Sequence, residues 1–303
     1  MNTYRLGLYE KSMPGFLSLP QKLEQTKAAG FDYMELSVDE TAEKLARLEW
    51  DAGQCRELMD AICASGVPIH SICLSGHRKY PMGHPDPEVR RRSMEIMEKA
   101  LILADRISAR IIQLAGYDVY YEPGNRNTRR LFEENLDKAA LMAAKYGVVI
   151  AFETMETPFM NTVAKAMEQI RRVDSPWLQV YPDAGNLTNA ALVAKDSMER
   201  DLACGRGHLA AMHLKETVPG VFREVPFGTG HVDFVSAAET ALELGVRTFV
   251  GEFWYTGSES WQQDLIYANR FLREKLKLAQ QQAIIVQQGC ISTAGAVNKM
   301  RNK

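Results

Sequence analysis

Four residues lie where runs of apolar sequence end, and each carries a group that can hold a cation or move a proton. They are Glu153 in IAFETME, Asp183 in QVYPDAGN, His213 in AAMHLKET and Glu252 in FVGEFW. Singly, each has a plain alternative: a glutamate at a strand end commonly pairs with a surface cation, and a histidine after apolar residues is commonly a bonded core residue. Together they are three carboxylates and an imidazole. Gathering three carboxylates in a low-dielectric place without a cation is costly, because like charges repel and lose their hydration. A divalent metal resolves the conflict. The oxygen-rich donor set suits Mn²⁺, Mg²⁺ or Co²⁺, and Zn²⁺ is also accommodated.

These four can meet only if the ends of their runs share one mouth. Eight short β-rich runs are predicted, over Arg5–Tyr9, Tyr33–Ser37, Ile69–Leu74, Ile111–Ala115, Val148–Glu153, Leu178–Tyr181, Ala210–Leu214 and Thr248–Phe253. Between them, apolar residues recur at helical spacing, as in Met94–Met97–Leu101 and Leu136–Ala139–Met142–Ala143. Gly30, Gly66, Gly147 and Gly245 each follow a helical run, where a left-handed cap turns the chain back toward a sheet. Eight strands alternating with eight helices predict an α/β fold, a (β/α)₈ TIM barrel with its site at the C-terminal face of the strands. Near-continuous apolar runs such as VVIAF and RIIQLA fit a parallel sheet covered on both faces. A doubly wound open sheet is the alternative, but no GxGxxG follows an early strand. Without a Pro-, Gly- or Ser-rich linker, residues 1–279 read as one catalytic domain. The segment 280–303, rich in Gln and small residues, is expected to be a flexible C-terminal extension.

Composition removes several function classes. The chain has 303 residues, 46% of them hydrophobic, and 36 Lys and Arg balance 38 Asp and Glu to a net charge of −2. That balance offers no general surface for nucleic acid. The N-terminal MNTYRLGLYEK has no apolar leader core, and no run is long enough to span a membrane. Cys55, Cys63, Cys73, Cys204 and Cys290 are odd in number and scattered without CxxC spacing, so neither a disulfide framework nor a thiolate zinc site is expected. A cytoplasmic globular protein is expected.

Seven motifs then occur in order: GLYEK at 7–11, LSVDE at 36–40, CLSGHRKYP at 73–81, QLAGYDVYY at 113–121, YPDAGNL at 181–187, HLKET at 213–217 and VPFGTGHVDF at 225–234. Across roughly residues 4–275 the chain resembles the L-ribulose-5-phosphate 3-epimerase family, within the xylose-isomerase-like barrels; the tail lies outside the resemblance. It implies interconversion of L-xylulose 5-phosphate and L-ribulose 5-phosphate in L-ascorbate utilisation. It also implies that Glu153, Asp183, His213 and Glu252 hold one divalent metal, with Glu153 and Glu252 as the acid/base pair. Glu156 and Lys215 match further polar positions near the site.

Epimerisation beside a ketone takes a proton from one face of a carbon and returns one to the other, which asks for two carboxylates flanking the sugar and a Lewis acid on its oxygens. The substrate phosphate needs donors, and Lys11, His77, Arg78 and Lys215 stand after expected strands. Arg78 as a solvated surface charge is the competing reading. The expected partner is a small-molecule sugar phosphate, with no nucleic acid and no membrane; a homodimer is one assembly open to it. Four alternatives remain. An aldose–ketose or hexulose-phosphate isomerase, or a free-ketose 3-epimerase, uses the same metal site. A metal-dependent nuclease for abasic DNA needs more histidines and a basic track. A non-catalytic sugar-binding barrel needs no complete acidic quartet.

Overall fold

The computed structural model describes the backbone of residues 4–301 and the side chains of residues 4–283. In chain order the elements are β1 (Arg5–Tyr9), α1 (Leu19–Ala28), β2 (Tyr33–Ser37), α2 (Ala42–Ala46), α3 (Ala52–Ser65), β3 (Ile69–Leu74), α4 (Pro87–Arg106), β4 (Ile111–Ala115) and α5 (Arg126–Tyr146). There follow β5 (Val149–Glu153), α6 (Val163–Val173), β6 (Leu178–Tyr181), α7 (Ala184–Ala194), α8 (Met198–Cys204), β7 (Met212–Leu214), α9 (Phe234–Glu243), β8 (Thr248–Gly251) and α10 (Trp261–Arg301).

The strands pair in parallel in the order β6-β5-β4-β3-β2-β1-β8-β7. The remaining seam, between β6 and β7, is joined by three backbone bonds: His213 N–H donates to Pro182 O at 2.9 Å, Val180 N–H to His208 O at 2.8 Å, and Ala210 N–H to Val180 O at 2.9 Å. The expected barrel is therefore present. Strand β5 begins one residue later than expected, β7 two residues later, and β8 ends two residues earlier. The helix layer is richer than eight, because α2 and α8 add short turns on the way to β3 and β7.

Alternation along each strand sorts side chains between two layers. Leu6 and Leu8, Met34 and Leu36, and Ile150 and Phe152 point outward into the large core beneath the helices. Their neighbours Tyr9, Tyr33, Ala151 and, from other strands, Tyr181 and Val250 fill the barrel itself. Helix starts are capped as the sequence dictates: Ser18 with Gln21, Asp51 with Gln54 and Asn125 with Thr128 each form a reciprocal capping box. Gly66 and Gly147 end α3 and α5 at φ of 72° and 65°, a conformation that costs a side-chain-bearing residue energy.

The expected boundary at residue 280 falls inside α10, which continues to Arg301; residues 302–303 lie outside the described residues. Cys55, Cys63, Cys73 and Cys204 are free thiols, and the Cys290 side chain lies outside the described ones. Among the described residues, no helix is long and apolar enough to cross a membrane.

Candidate active site

The four strand-end residues converge. Ligand atoms of Glu153, Asp183, His213 and Glu252 all lie within 4.8 Å of one another, and all four residues are buried. They stand at or just past the C-terminal ends of four successive strands, β5 to β8, across the seam of the barrel. His213 Nδ1 is the hub, 3.4 Å from Glu153 Oε1, 3.2 Å from Glu252 Oε2 and 3.9 Å from Asp183 Oδ2.

Each side chain is held by its other polar atoms. Asp183 is the N-cap of α7, and its Oδ1 accepts from Asn186 N–H at 2.6 Å, leaving Oδ2 aimed at the cluster. Gly185 lets α7 begin so close to the chain after β7, since a Cβ there would stand 2.7 Å from Lys215 O. The Gln113 amide donates to Glu153 Oε2. His213 Nε2–H donates to Glu35 Oε1 at 2.7 Å, and Glu35 Oε2 accepts from Ser71 Oγ at 2.6 Å and Tyr181 OH at 2.9 Å.

Three buried atoms at the centre lack a hydrogen-bond partner: Asp183 Oδ2, His213 Nδ1 and Glu252 Oε2. Buried polar atoms in folded proteins are almost always satisfied, so three orphans pointing at one spot are the mark of a ligand. Carboxylate oxygens with one imidazole nitrogen fit a divalent cation. Lys215 Nζ supplies positive charge from one side, 3.2 Å from Asp183 Oδ2 and 3.3 Å from Glu252 Oε2.

The electrostatics agree. Burial, joined by the charges of Glu252 and Glu153, pushes the Asp183 carboxyl up against the pull of Lys215. Burial alone would strip His213 of its proton, but the charges of Glu35 and Glu252 and the close approach of the Glu153 and Glu252 carboxylates hold its pKa well above the usual histidine range. Burial alone would raise Glu252, yet the Lys215 and His213 charges hold it well below the usual carboxylate range.

The pocket over this cluster is lined by Tyr9, Lys11, Arg78, Glu153, Glu156, Lys215, Arg223, Glu252 and Trp254, among others. Of the expected substrate contacts, Lys11, Arg78, Glu156 and Lys215 therefore reach the mouth. His77 does not. The short 3₁₀ turn Ser75–Arg78 rotates its ring inward, where it is 2% exposed and its Nε2 lies 3.0 Å from Ser93 O of α4. Lys11 pairs with Asp39, and Lys215 with Asp183 and Glu252, so neither is a free cation. Sequence reasoning missed Glu35 and Arg223. Glu35 is at an inward position of YMELS, and a charged residue on the buried face of a strand is the signal that points to it.

A family model described as the xylose isomerase-like TIM barrel matches residues 23–275. The chain belongs to the xylose isomerase-like TIM barrel family. It is 40% identical over 275 residues to an L-ribulose-5-phosphate 3-epimerase UlaE of Shigella sonnei (strain Ss046), covering 90% of this chain and 95% of that protein. The same values hold for the enzyme of that name from Escherichia coli O139:H28 (strain E24377A / ETEC). Among solved structures of this barrel type, an L-ribulose 3-epimerase superposes with TM-score 0.75 at 18% identity, covering 93% of this chain and 98% of that one. A D-allulose 3-epimerase from Methylomonas sp. gives TM-score 0.74 at 18% identity, with 91% and 99% covered. At such identity the two structures speak for the barrel alone.

Proposed function

We propose that this barrel is a sugar-phosphate 3-epimerase that interconverts L-xylulose 5-phosphate and L-ribulose 5-phosphate. The observation that carries the reading is the placement of Glu153 at the end of β5 and Glu252 just after β8, both against His213, in a chain 40% identical to enzymes named L-ribulose-5-phosphate 3-epimerase.

Glu153, Asp183, His213 and Glu252 are the residues we assign to one divalent metal, with Mn²⁺ the first choice and Zn²⁺, Mg²⁺ and Co²⁺ the others the donor set admits. When bound, such a cation polarises the ketone and stabilises negative charge on the sugar oxygens. The chain supplies the proton chemistry. Glu153 and Glu252 approach the pocket from separate strands, so one carboxylate takes the C3 proton while the other returns one to the opposite face, and the roles exchange with direction. Gln113 fixes the Glu153 carboxylate and Lys215 that of Glu252, which limits the motion each needs. Trp254 and Tyr9 wall the pocket, and their rings exclude water from the developing carbanion.

We assign residues 1–279 to this one catalytic unit. A cytoplasmic setting and a place in L-ascorbate breakdown suit the free thiols and the relatives' name. The direct test incubates the Mn²⁺-loaded protein with L-ribulose 5-phosphate and follows L-xylulose 5-phosphate by NMR. Conversion is the expected result, and its absence with every divalent metal tried overturns the reading.

A further inference from the structure

Tyr117 is only 2% exposed, and its buried hydroxyl has no hydrogen-bond partner among the described residues. The proton chemistry proposed above does not use it. A tyrosine sealed in an interior ordinarily bonds its hydroxyl, because an unmade bond there costs more than a phenylalanine would. Its surroundings show where the missing partner would come from. Tyr117 follows the end of β4, and β4 pairs with β5 so that Ala115 stands opposite Glu153. The two chains run so close that a Cβ on Gly116 would stand 2.6 Å from Glu153 O. Tyr117 packs with Ala115 and with Met155, which lines the catalytic pocket, and its ring centroid lies 5.0 Å from that of Tyr120. Its hydroxyl feels the charges of Arg78 and Glu153, both on the pocket wall. Burial raises its pKa well above the usual tyrosine range against the pull of Arg78, so at neutral pH it is a hydrogen-bond donor.

Position around the barrel says which substrate atom meets it. The strand order places β5 between β4 and β6. On the β6 side of Glu153 stand Asp183, His213 and Glu252, the residues assigned to the metal, and the oxygens on C2 and C3 belong on that side. On the β4 side stands Tyr117. With C3 held at Glu153, the carbon on the far side of C3 from the ketone is C4, and its hydroxyl faces β4.

We infer that Tyr117 is a specificity-determining residue whose hydroxyl bonds the substrate's C4 hydroxyl and selects the L over the D configuration at that carbon. This deepens the epimerase reading proposed above and rests on it. L-ribulose 5-phosphate and D-xylulose 5-phosphate differ only at C4. They offer the same C3 to Glu153 and Glu252 but an oppositely placed C4 hydroxyl to Tyr117. A bond missing from the wrong epimer discriminates more sharply than packing does, because the mismatch leaves a buried phenol unpaired. Tyr117 acts on binding and leaves proton transfer at C3 to the carboxylates.

The test measures kcat/KM for Mn²⁺-loaded wild type and Tyr117→Phe with L-ribulose 5-phosphate and D-xylulose 5-phosphate, following C3 epimerisation by NMR. The L-over-D ratio is expected to fall about tenfold in the variant, through a raised KM for L-ribulose 5-phosphate. If D-xylulose 5-phosphate turns over too slowly to measure, its inhibition constant against L-ribulose 5-phosphate is compared with the KM instead. Thermal unfolding of the substrate-free chain gives a readout that a purely structural role would move the other way. Removing an unpaired buried hydroxyl should leave Tm unchanged or raise it, whereas a hydroxyl that the fold needs would lower it. An unchanged ratio, an equal loss for both sugars or a lowered Tm overturns the assignment. If the wild type epimerises neither sugar phosphate with any divalent metal, the functional reading fails and the role of Tyr117 falls with it. If the wild type epimerises L-ribulose 5-phosphate and the variant keeps the wild-type ratio, the role of Tyr117 alone fails.

Discussion

Glu35 on β2 and His213 on β7, 178 residues apart, meet across the inside of the barrel with Nε2 and Oε1 2.7 Å apart. A carboxylate only accepts, so Nε2 carries the hydrogen, which leaves Nδ1 as the nitrogen that gives its lone pair to a cation once its own proton is displaced. Partners of this kind fix a ligating imidazole in tautomer and orientation. Glu35→Gln is expected to weaken divalent-metal affinity about 10- to 100-fold. A chelator-competition titration measures it, and wild-type affinity in the variant would show that His213 needs no such anchor.

Glu153→Gln and Glu252→Gln keep the shape of the pocket but cannot shuttle a proton. Each is expected to lower kcat by about 10²- to 10⁴-fold. Because the two act on opposite faces of C3, a variant lacking one carboxylate should still exchange the C3 proton of one epimer with solvent and not that of the other. Near-normal turnover in either variant would falsify the pairing.

Metal binding should depend on pH with a definite sign. In the metal-free chain the charges of Glu35 and Glu252 overcome burial and keep a proton on His213 above the usual pKa of 6.5, while burial raises Asp183 to about 8. A cation must displace these protons, so affinity rises with pH, about tenfold per unit for each proton released. Calorimetry in buffers of different ionisation enthalpy counts the protons. Exhaustive dialysis against EDTA should abolish turnover and added divalent metal restore it, and Asp183→Asn should weaken binding by removing an anionic ligand. Full activity in a metal-free sample contradicts the mechanism.

A second buried charge cluster stabilises the start of the barrel's mouth. Glu10 is fully buried, and its carboxylate meets Lys22 at 2.9 Å, Lys44 at 2.6 Å and the guanidinium of Arg47. Burial alone would raise its pKa, but the Arg47 hydrogen bond and the charges of Arg47, Lys22 and Lys44 hold it well below the ordinary 4.5. The unfolded chain thus takes up a proton that the folded chain resists. The stabilisation is complete above the ordinary carboxylate pKa and is lost as pH falls below it toward the folded value. Glu10→Gln should cost about 3–5 kcal/mol at pH 7, because two buried cations, Lys22 and Arg47, and the half-buried Lys44 lose their partner. The gap from wild type in urea denaturation should narrow toward pH 3; a gap independent of pH contradicts the account.

What the sequence makes legible follows from periodicity. Strand positions could be read because alternating or continuous apolar runs are short and bounded, and Glu153, Asp183, His213 and Glu252 stand at or near the ends of such runs. Glu35 sits mid-run, where only inward phase distinguishes it from an outward residue, and that phase depends on register. His77 was misplaced because a 3₁₀ turn changes side-chain direction within one residue, which neither strand nor helix periodicity conveys. Arg223 owes its position to contacts of Glu216 with residues 12 and 16 further on. Long-range bonds within a loop leave no periodic trace.

The central claim, proton transfer at C3 by a carboxylate pair, is tested most directly by running the reaction in D₂O with Mn²⁺-loaded protein and L-ribulose 5-phosphate. NMR should show deuterium entering C3 of both epimers as L-xylulose 5-phosphate forms, with C1 retaining its protons. Deuterium at C1 with none at C3 would contradict the account and make the barrel an aldose–ketose isomerase.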